Sequence, residues 1–127
     1  MRILLDTHIL IWCLTANPAM SQKAIDIING ADKVYVSVAN IWEIVIKQSV
    51  GKLKIDITGY ELLEAIKNSG FEFLDIKPQH AIKLLSLEDH HRDPFDRMLI
   101  AQSLTEPLHL LTIDDKVAQY HGNIIKL

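Results

Sequence analysis

The chain has 127 residues, 49% hydrophobic and 23% charged, a balance suited to one globular domain with a substantial core. No apolar run approaches the ~20 residues of a membrane-spanning helix, and the single cysteine, Cys13, has no internal disulfide partner, so a cytoplasmic protein is expected. A formal charge of -3 argues against a purely electrostatic nucleic-acid binder, yet acids gathered around divalent cations would leave the rest of the chain slightly basic.

Arg2–Leu5 is a short apolar run, read as a strand, that stops at Asp6; Ile9–Leu14 resumes it with a helical turn. Asp6 and His8 break this stretch and no small-residue cleavage site follows, so it is not expected to be a secretory leader. Ser21–Asn29 sets Ala24, Ile25 and Ile28 at helical spacing, with Gly30 as the expected stop. "KVYVSV" is β-branched and aromatic, a buried strand. Ser37 then caps a helix running to about Gln48, with Ile41, Ile44, Val45 and Gln48 as its inward face and Gly51 as its end. Thr58 or Gly59 opens the next helix, which carries Leu62, Leu63 and Ile66 and closes at Gly70. "FEFLDI" alternates as a strand, and Pro78–Leu85 is a short helix with proline near its start. After the "HHRDPFDRMLIAQS" helix come a strand at "LHLLTI", a short helix from Asp115 and a last strand at "NIIKL". Strands alternating with helices predict a single α/β domain over residues 1–127, a central parallel sheet with helices on both faces.

In such sheets the functional edge lies at the carboxyl ends of the strands. Asp6 and Asp114 each follow a strand; Glu43 lies in the first two turns of the helix after the second strand; Asp93 and Asp96 open the helix that leads into "LHLLTI". Chain geometry therefore brings four or five carboxylates to one edge. Clustered carboxylates repel unless a cation compensates, and an all-oxygen donor set suits Mg²⁺ or Mn²⁺ better than Zn²⁺. Such an ion activates water and stabilises a phosphoryl transition state, which points to phosphodiester hydrolysis. Each acid also has a plain structural use. Asp6 and Asp114 suit caps, Glu43 stands four residues before Lys47 in the favourable order, and Asp93 before Pro94 is a strong cap signal.

Helix rules separate the two acids of "DPFD": Asp93 falls at the N-cap, Pro94 at N1 and Asp96 at N3, on the face shared with Leu99 and Ile100. Among cations, Arg92 and Arg97 are the candidate phosphate contacts, ahead of Lys47, Lys52 and Lys54. Thr112, and Thr7 beside Asp6, are candidates to orient a ligand or water. Trp12 and Trp42 fall on apolar helical faces, as core or partner-interface residues. The six histidines are scattered, without the spacing of a zinc site. "DHH" lacks the further Asp and His motifs of the DHH phosphoesterases, and Asp6-Thr7-His8 lacks the Asp-x-Asp of haloacid-dehalogenase phosphatases.

With "LLDTHILIW", "SVANIWEIVIKQSVGKL" and "DPFDRMLIAQSL" followed by "LLTIDD", essentially the whole chain resembles the PIN-domain nucleases, and among them the VapC-like toxins of bacterial type II toxin-antitoxin pairs. The resemblance implies a Mg²⁺- or Mn²⁺-dependent endoribonuclease that leaves a 5′-phosphate and a 3′-hydroxyl, is held inactive by a cognate antitoxin, and often forms a homodimer. It carries the family's acidic positions to Asp6, Glu43, Asp96 and Asp114, with Asp96 selected because it directly precedes the run Arg97-Met98-Leu99-Ile100-Ala101. The rival reading is an RNA- or protein-binding module that keeps the fold without the chemistry, and the intact acid set argues against it.

Overall fold

The computed structural model describes residues 1–127. Its centre is a five-stranded sheet of β1 (Arg2–Leu5), β2 (Lys33–Ser37), β3 (Glu72–Leu74), β4 (His109–Thr112) and β5 (Ile124–Lys126), parallel throughout and ordered β3-β2-β1-β4-β5. Register aligns Leu4 with Tyr35 on one side and with Leu110 on the other, and Leu5 with Leu111. Around the sheet lie α1 (Thr7–Thr15), α2 (Gln22–Gly30), α3 (Val38–Ser49), α4 (Tyr60–Asn68), α5 (Pro78–Lys83) continued by a 3₁₀ turn at Leu84–Ser86, α6 (Pro94–Thr105) and α7 (Asp115–Ala118). This is the expected α/β architecture.

Two hydrophobic cores follow from the period-2 alternation of the strands. Ile3, Leu5, Val34, Val36 and Leu111 face one side and pack with Ile9 and Leu10 of α1, Ile44 of α3, and Leu62 and Ile66 of α4. Leu4, Leu110, Leu74 and Ile124 face the other side and pack with Ala39, with Leu99 and Ile100 of α6, and with Val117 of α7. The central strand β1 is buried on both faces, which explains its unbroken apolar run. Each fully buried Leu or Ile contributes about 1.5–3 kcal/mol.

Three local expectations shift. Gly30 is the last residue of α2 rather than the first beyond it, because the chain leaves through extended Ala31 and needs no left-handed turn. Strand β3 uses only Glu72–Leu74 of "FEFLDI". In α3, Ile44 faces inward as expected, but Val45 is 47% exposed, and Ala39, Asn40 and Glu43 complete the inward face. Two polar side chains thus take positions that an apolar reading assigned elsewhere. The cause lies at the sheet's carboxyl edge.

Candidate metal centre

Strand order reverses direction on either side of β1, so the crevice between β1 and β4 is the switch point of the sheet. Asp6 stands directly at the end of β1, and its amide donates to the Leu111 carbonyl of β4 at 3.0 Å. Its carboxylate is buried, caps α1 by accepting from the His8 amide (3.1 Å), and accepts the Thr112 hydroxyl at 2.6 Å. Glu43 is buried beside it: Oε1 accepts the Thr7 hydroxyl at 2.6 Å, and Oε2 pairs with the Lys47 ammonium one turn on.

These bonds extend into a network. Ser37 and Asn40 form a capping box at the start of α3, in which Asn40 Oδ1 accepts the Ser37 amide at 2.8 Å. Asn40 Nδ2 donates to the Leu5 carbonyl (3.1 Å) and to Thr7 Oγ1 (3.0 Å), leaving the Thr7 proton for Glu43. A helix start, a strand end and a carboxylate are locked together with their polar atoms satisfied, which is why Asn40 can be fully buried.

The second half of the centre comes from α6 and α7. Asp93 Oδ1 accepts from the Phe95 and Asp96 amides, both at 2.9 Å, so Asp93 is the N-cap and Pro94 opens the helix. Asp96, on the third residue, turns toward the other acids. Its Oδ2 lies 2.7 Å from His91 Nε2, which is 3.6 Å from Asp114 Oδ2. Asp114 caps α7 through the Lys116 amide (2.8 Å) and donates its own amide to Thr112 Oγ1 (3.1 Å). Thr112 therefore ties Asp114 to Asp6. Atoms of His91, Asp96 and Asp114 lie within 4.8 Å of one another, close enough to share one cation.

Charge crowding shows in the titration of these groups. Burial, followed by the charge on Asp6, pushes the Asp96 carboxyl up to about 7; the His91 bond opposes this, and Asp93 and Glu43 add to it. Burial likewise raises Asp6, against the bonds from Thr112 and the His8 amide. The bond to Glu43 raises Lys47, with the charges of Glu43, Asp93 and Asp96 adding, so an ammonium stands in the field of the acids. Carboxylates crowded this closely, with Asp96 and Asp6 both raised, are a donor set suited to a hard dication. The carboxylates present fit Mg²⁺ or Mn²⁺.

Other candidates take different places. Arg97 is not a free cation: Nη1 donates to the Glu88 and His91 carbonyls (3.0 and 3.1 Å) and to the Tyr120 hydroxyl (3.0 Å), strapping down the loop that carries His91. Thr112 is fully buried and its hydroxyl donates to Asp6, so in this structure it positions a carboxylate. Arg92 is exposed, in a depression bordered by His91, Asp93 and Lys116. Trp42 is 56% exposed, edge-on to Phe95 at 5.2 Å, and forms an outer apolar stripe on α3 with Val38 and Val45. Sequence reasoning passed over His91 and Asn40. The pair spacing of His90-His91 argued against a shared ligand, whereas His91 alone lies against Asp96 and Asp114.

The chain matches the family model described as PIN domain over residues 3–123. No curated protein sequence matches it. Among solved structures, VapBC2 from Rickettsia felis, bound to a DNA fragment from its promoter, aligns at a TM-score of 0.70 and 16% identity, covering 100% of this chain and 98% of that one. A toxin-antitoxin complex from Klebsiella pneumoniae aligns at 0.68 and 17% identity, covering 98% and 96%. FitAcB from Neisseria gonorrhoeae aligns at 0.62 and 18% identity, covering 91% and 89%. At these identities the likeness carries the fold, and the family model carries the membership: this chain belongs to the PIN domain family.

Proposed function

We propose that the protein is a metal-dependent endoribonuclease acting in the cytoplasm as the toxin of a toxin-antitoxin pair. The observation that carries the reading is the convergence of Asp6, Glu43 and Asp96 at the sheet's switch point, with Asp114 joined through Thr112 and His91. Asp6, Asp96 and Asp114 would hold Mg²⁺ or Mn²⁺, and Glu43 would complete the set or orient the attacking water. When bound, the ion supplies Lewis-acid charge and a more acidic water. Thr112 and Thr7 each donate to one carboxylate oxygen, which fixes how Asp6 and Glu43 present the other. Lys47 pairs with Glu43 Oε2 one turn on, which helps to orient the carboxylate. Water adds to phosphorus, the P–O3′ bond breaks, and the products are a 5′-phosphate and a 3′-hydroxyl that has taken a proton. Arg92 is the exposed cation best placed to meet the substrate beside His91.

The likeness to toxin-antitoxin complexes and the exposed stripe of Val38, Trp42 and Val45 support an antitoxin as the protein partner, with a second copy of the chain as the other occupant of that face. No helix is long and apolar enough to cross a membrane. The deciding experiment is cleavage of single-stranded RNA in excess Mg²⁺ or Mn²⁺, in EDTA, and by Asp6→Asn and Asp114→Asn. Cleavage only by the metal-supplemented wild type supports the reading. Cleavage in EDTA, or by Asp6→Asn at the wild-type rate, refutes it. Growth arrest on expression of the wild type but not of Asp6→Asn tests the toxin assignment.

A further inference from the structure

Beside the acidic centre, on the α1 and α3 side, runs a groove of about 500 Å³. Thr7 and Glu43 of the centre form one part of its wall; His8, Lys47, Lys52 and Lys54 line it too, over apolar Trp12 and Ile55. It is a basic groove in a chain of net charge -3. The lysines that pair with acids are Lys33, Lys47, Lys67 and Lys126, so the amines of Lys52 and Lys54 have no carboxylate partner.

The two free lysines are presented by a built segment. After α3, Gly51 turns with φ of +74°, a conformation glycine adopts without strain. The Lys52 and Leu53 amides both donate to the Lys47 carbonyl (2.8 and 3.2 Å), and Gln48 Nε2 donates to the Ile57 carbonyl at 2.9 Å, pinning the segment at both ends. Between them, "KLKIDI" alternates: Leu53, Ile55 and Ile57 pack against the core while Lys52, Lys54 and Asp56 stay exposed. Lys52 and Lys54 therefore stand on one exposed side of the segment with Leu53 turned inward between them, an arrangement that can present two charges to neighbouring phosphates.

We infer that this groove binds the backbone of single-stranded RNA, with Lys52 and Lys54 contacting successive phosphates next to the scissile one. The inference rests on the nuclease reading and adds the path of the substrate to it. A strand leaving the groove across Glu43 and Asp96 meets Arg92 and Lys116 on the far side, so cations bracket the acids and the charge distribution seats the backbone across the metal centre. The groove offers paired lysines over an apolar floor, which RNA can match with a regular ladder of phosphates and with its bases.

The test is binding of a fluorescent, unstructured RNA of twelve nucleotides across a salt series, with Ca²⁺ in place of Mg²⁺, for the wild type, Lys52→Gln/Lys54→Gln, and the remote control Lys23→Gln/Lys77→Gln. A single-strand phosphate contact contributes about 0.7 to the slope of log K against log salt. The groove variant should therefore lose about 1.4 of slope and bind about 25-fold more weakly at 0.1 M salt, while the control follows the wild type. In cleavage assays with Mg²⁺ the loss should fall on KM, with the metal-induced rise in Tm retained. Equal slopes for wild type and groove variant, with RNA still cut, overturn the inference and leave the nuclease reading standing. A wild type that neither binds nor cuts RNA overturns both. Polyglutamate that binds the wild type as tightly as RNA, and loses as much on the double substitution, also overturns it, in favour of an acidic protein segment.

Discussion

Without metal, the protein should lose stability as pH rises from 5 to 8, and Asp96 should be the main cause. Its side chain is only 16% exposed, and its carboxyl is held at about 7 against 3.8 for the free group. Between those values the folded chain keeps the Asp96 proton and the unfolded chain has released it. The stability this contributes is complete below about pH 4 and is lost as pH climbs through about 7. Linkage over this interval gives a loss of roughly 2–3 kcal/mol between pH 5 and pH 8. Asp6, also raised by burial, acts in the same sense; His121, lowered by burial, acts in the opposite one. Urea unfolding in EDTA at four pH values, for the wild type and Asp96→Asn, isolates the Asp96 share, since asparagine carries no titrating proton. The wild-type midpoint should fall with pH relative to the variant's. Saturating Mn²⁺ should remove the fall, because the cation favours the ionised carboxylate. Parallel profiles in EDTA would mean that Asp96 carries no such load, and the charge-crowding account of the centre fails.

Three further outcomes are expected. Mg²⁺ or Mn²⁺ at about 100 times its Kd should add about 2.7 kcal/mol of stability; in thermal melts the gain should vanish in Asp6→Asn, which keeps the fold, and its absence in the wild type at millimolar metal counts against the site. Asp93→Asn should keep both stability and RNA cleavage, Asp93→Ala should cost about 0.5–2 kcal/mol through the lost cap, and Asp96→Asn should abolish cleavage; if Asp93→Asn is as inactive as Asp96→Asn, Asp93 belongs to the metal site. Thr112→Val removes a buried hydroxyl bonded to a carboxylate and should cost about 1–3 kcal/mol in denaturant melts; it also removes a contact that lowers Asp6, so calorimetric metal affinity should shift to higher pH.

What could be read in advance was local. The strand-end position of Asp6, the Asp-Pro cap at the start of α6 and the inward turn of Asp96 each depend on neighbours within a few residues. The parallel sheet followed from alternating strands and helices with short connections. What escaped was tertiary. Val45 looked like a core residue by spacing, but α3 is rotated so that Asn40 and Glu43 meet Thr7, and only the pairing of β1 with its neighbours brings Thr7 there. Arg97 read as a phosphate contact because its acceptors are backbone carbonyls and a tyrosine hydroxyl, invisible to charge patterning. His91 reaches Asp114 across the gap between α6 and α7, a closeness that sequence spacing does not encode.

The insertion of β4 beside β1 also sets a timetable for synthesis. Thr112 meets Asp6 across a separation of 106 residues, and Asp114 arrives later still. A growing chain can form β1, β2 and their helices first, since contacts close in sequence form ahead of distant ones. Until β4 leaves the ribosome and slots in, β1 has an open edge, Asp6 lacks its hydroxyl donor, and the fourth carboxylate does not exist. A nascent chain that has not yet released β4 therefore has no complete centre. The set of carboxylates is completed in one step, when β4 closes against β1.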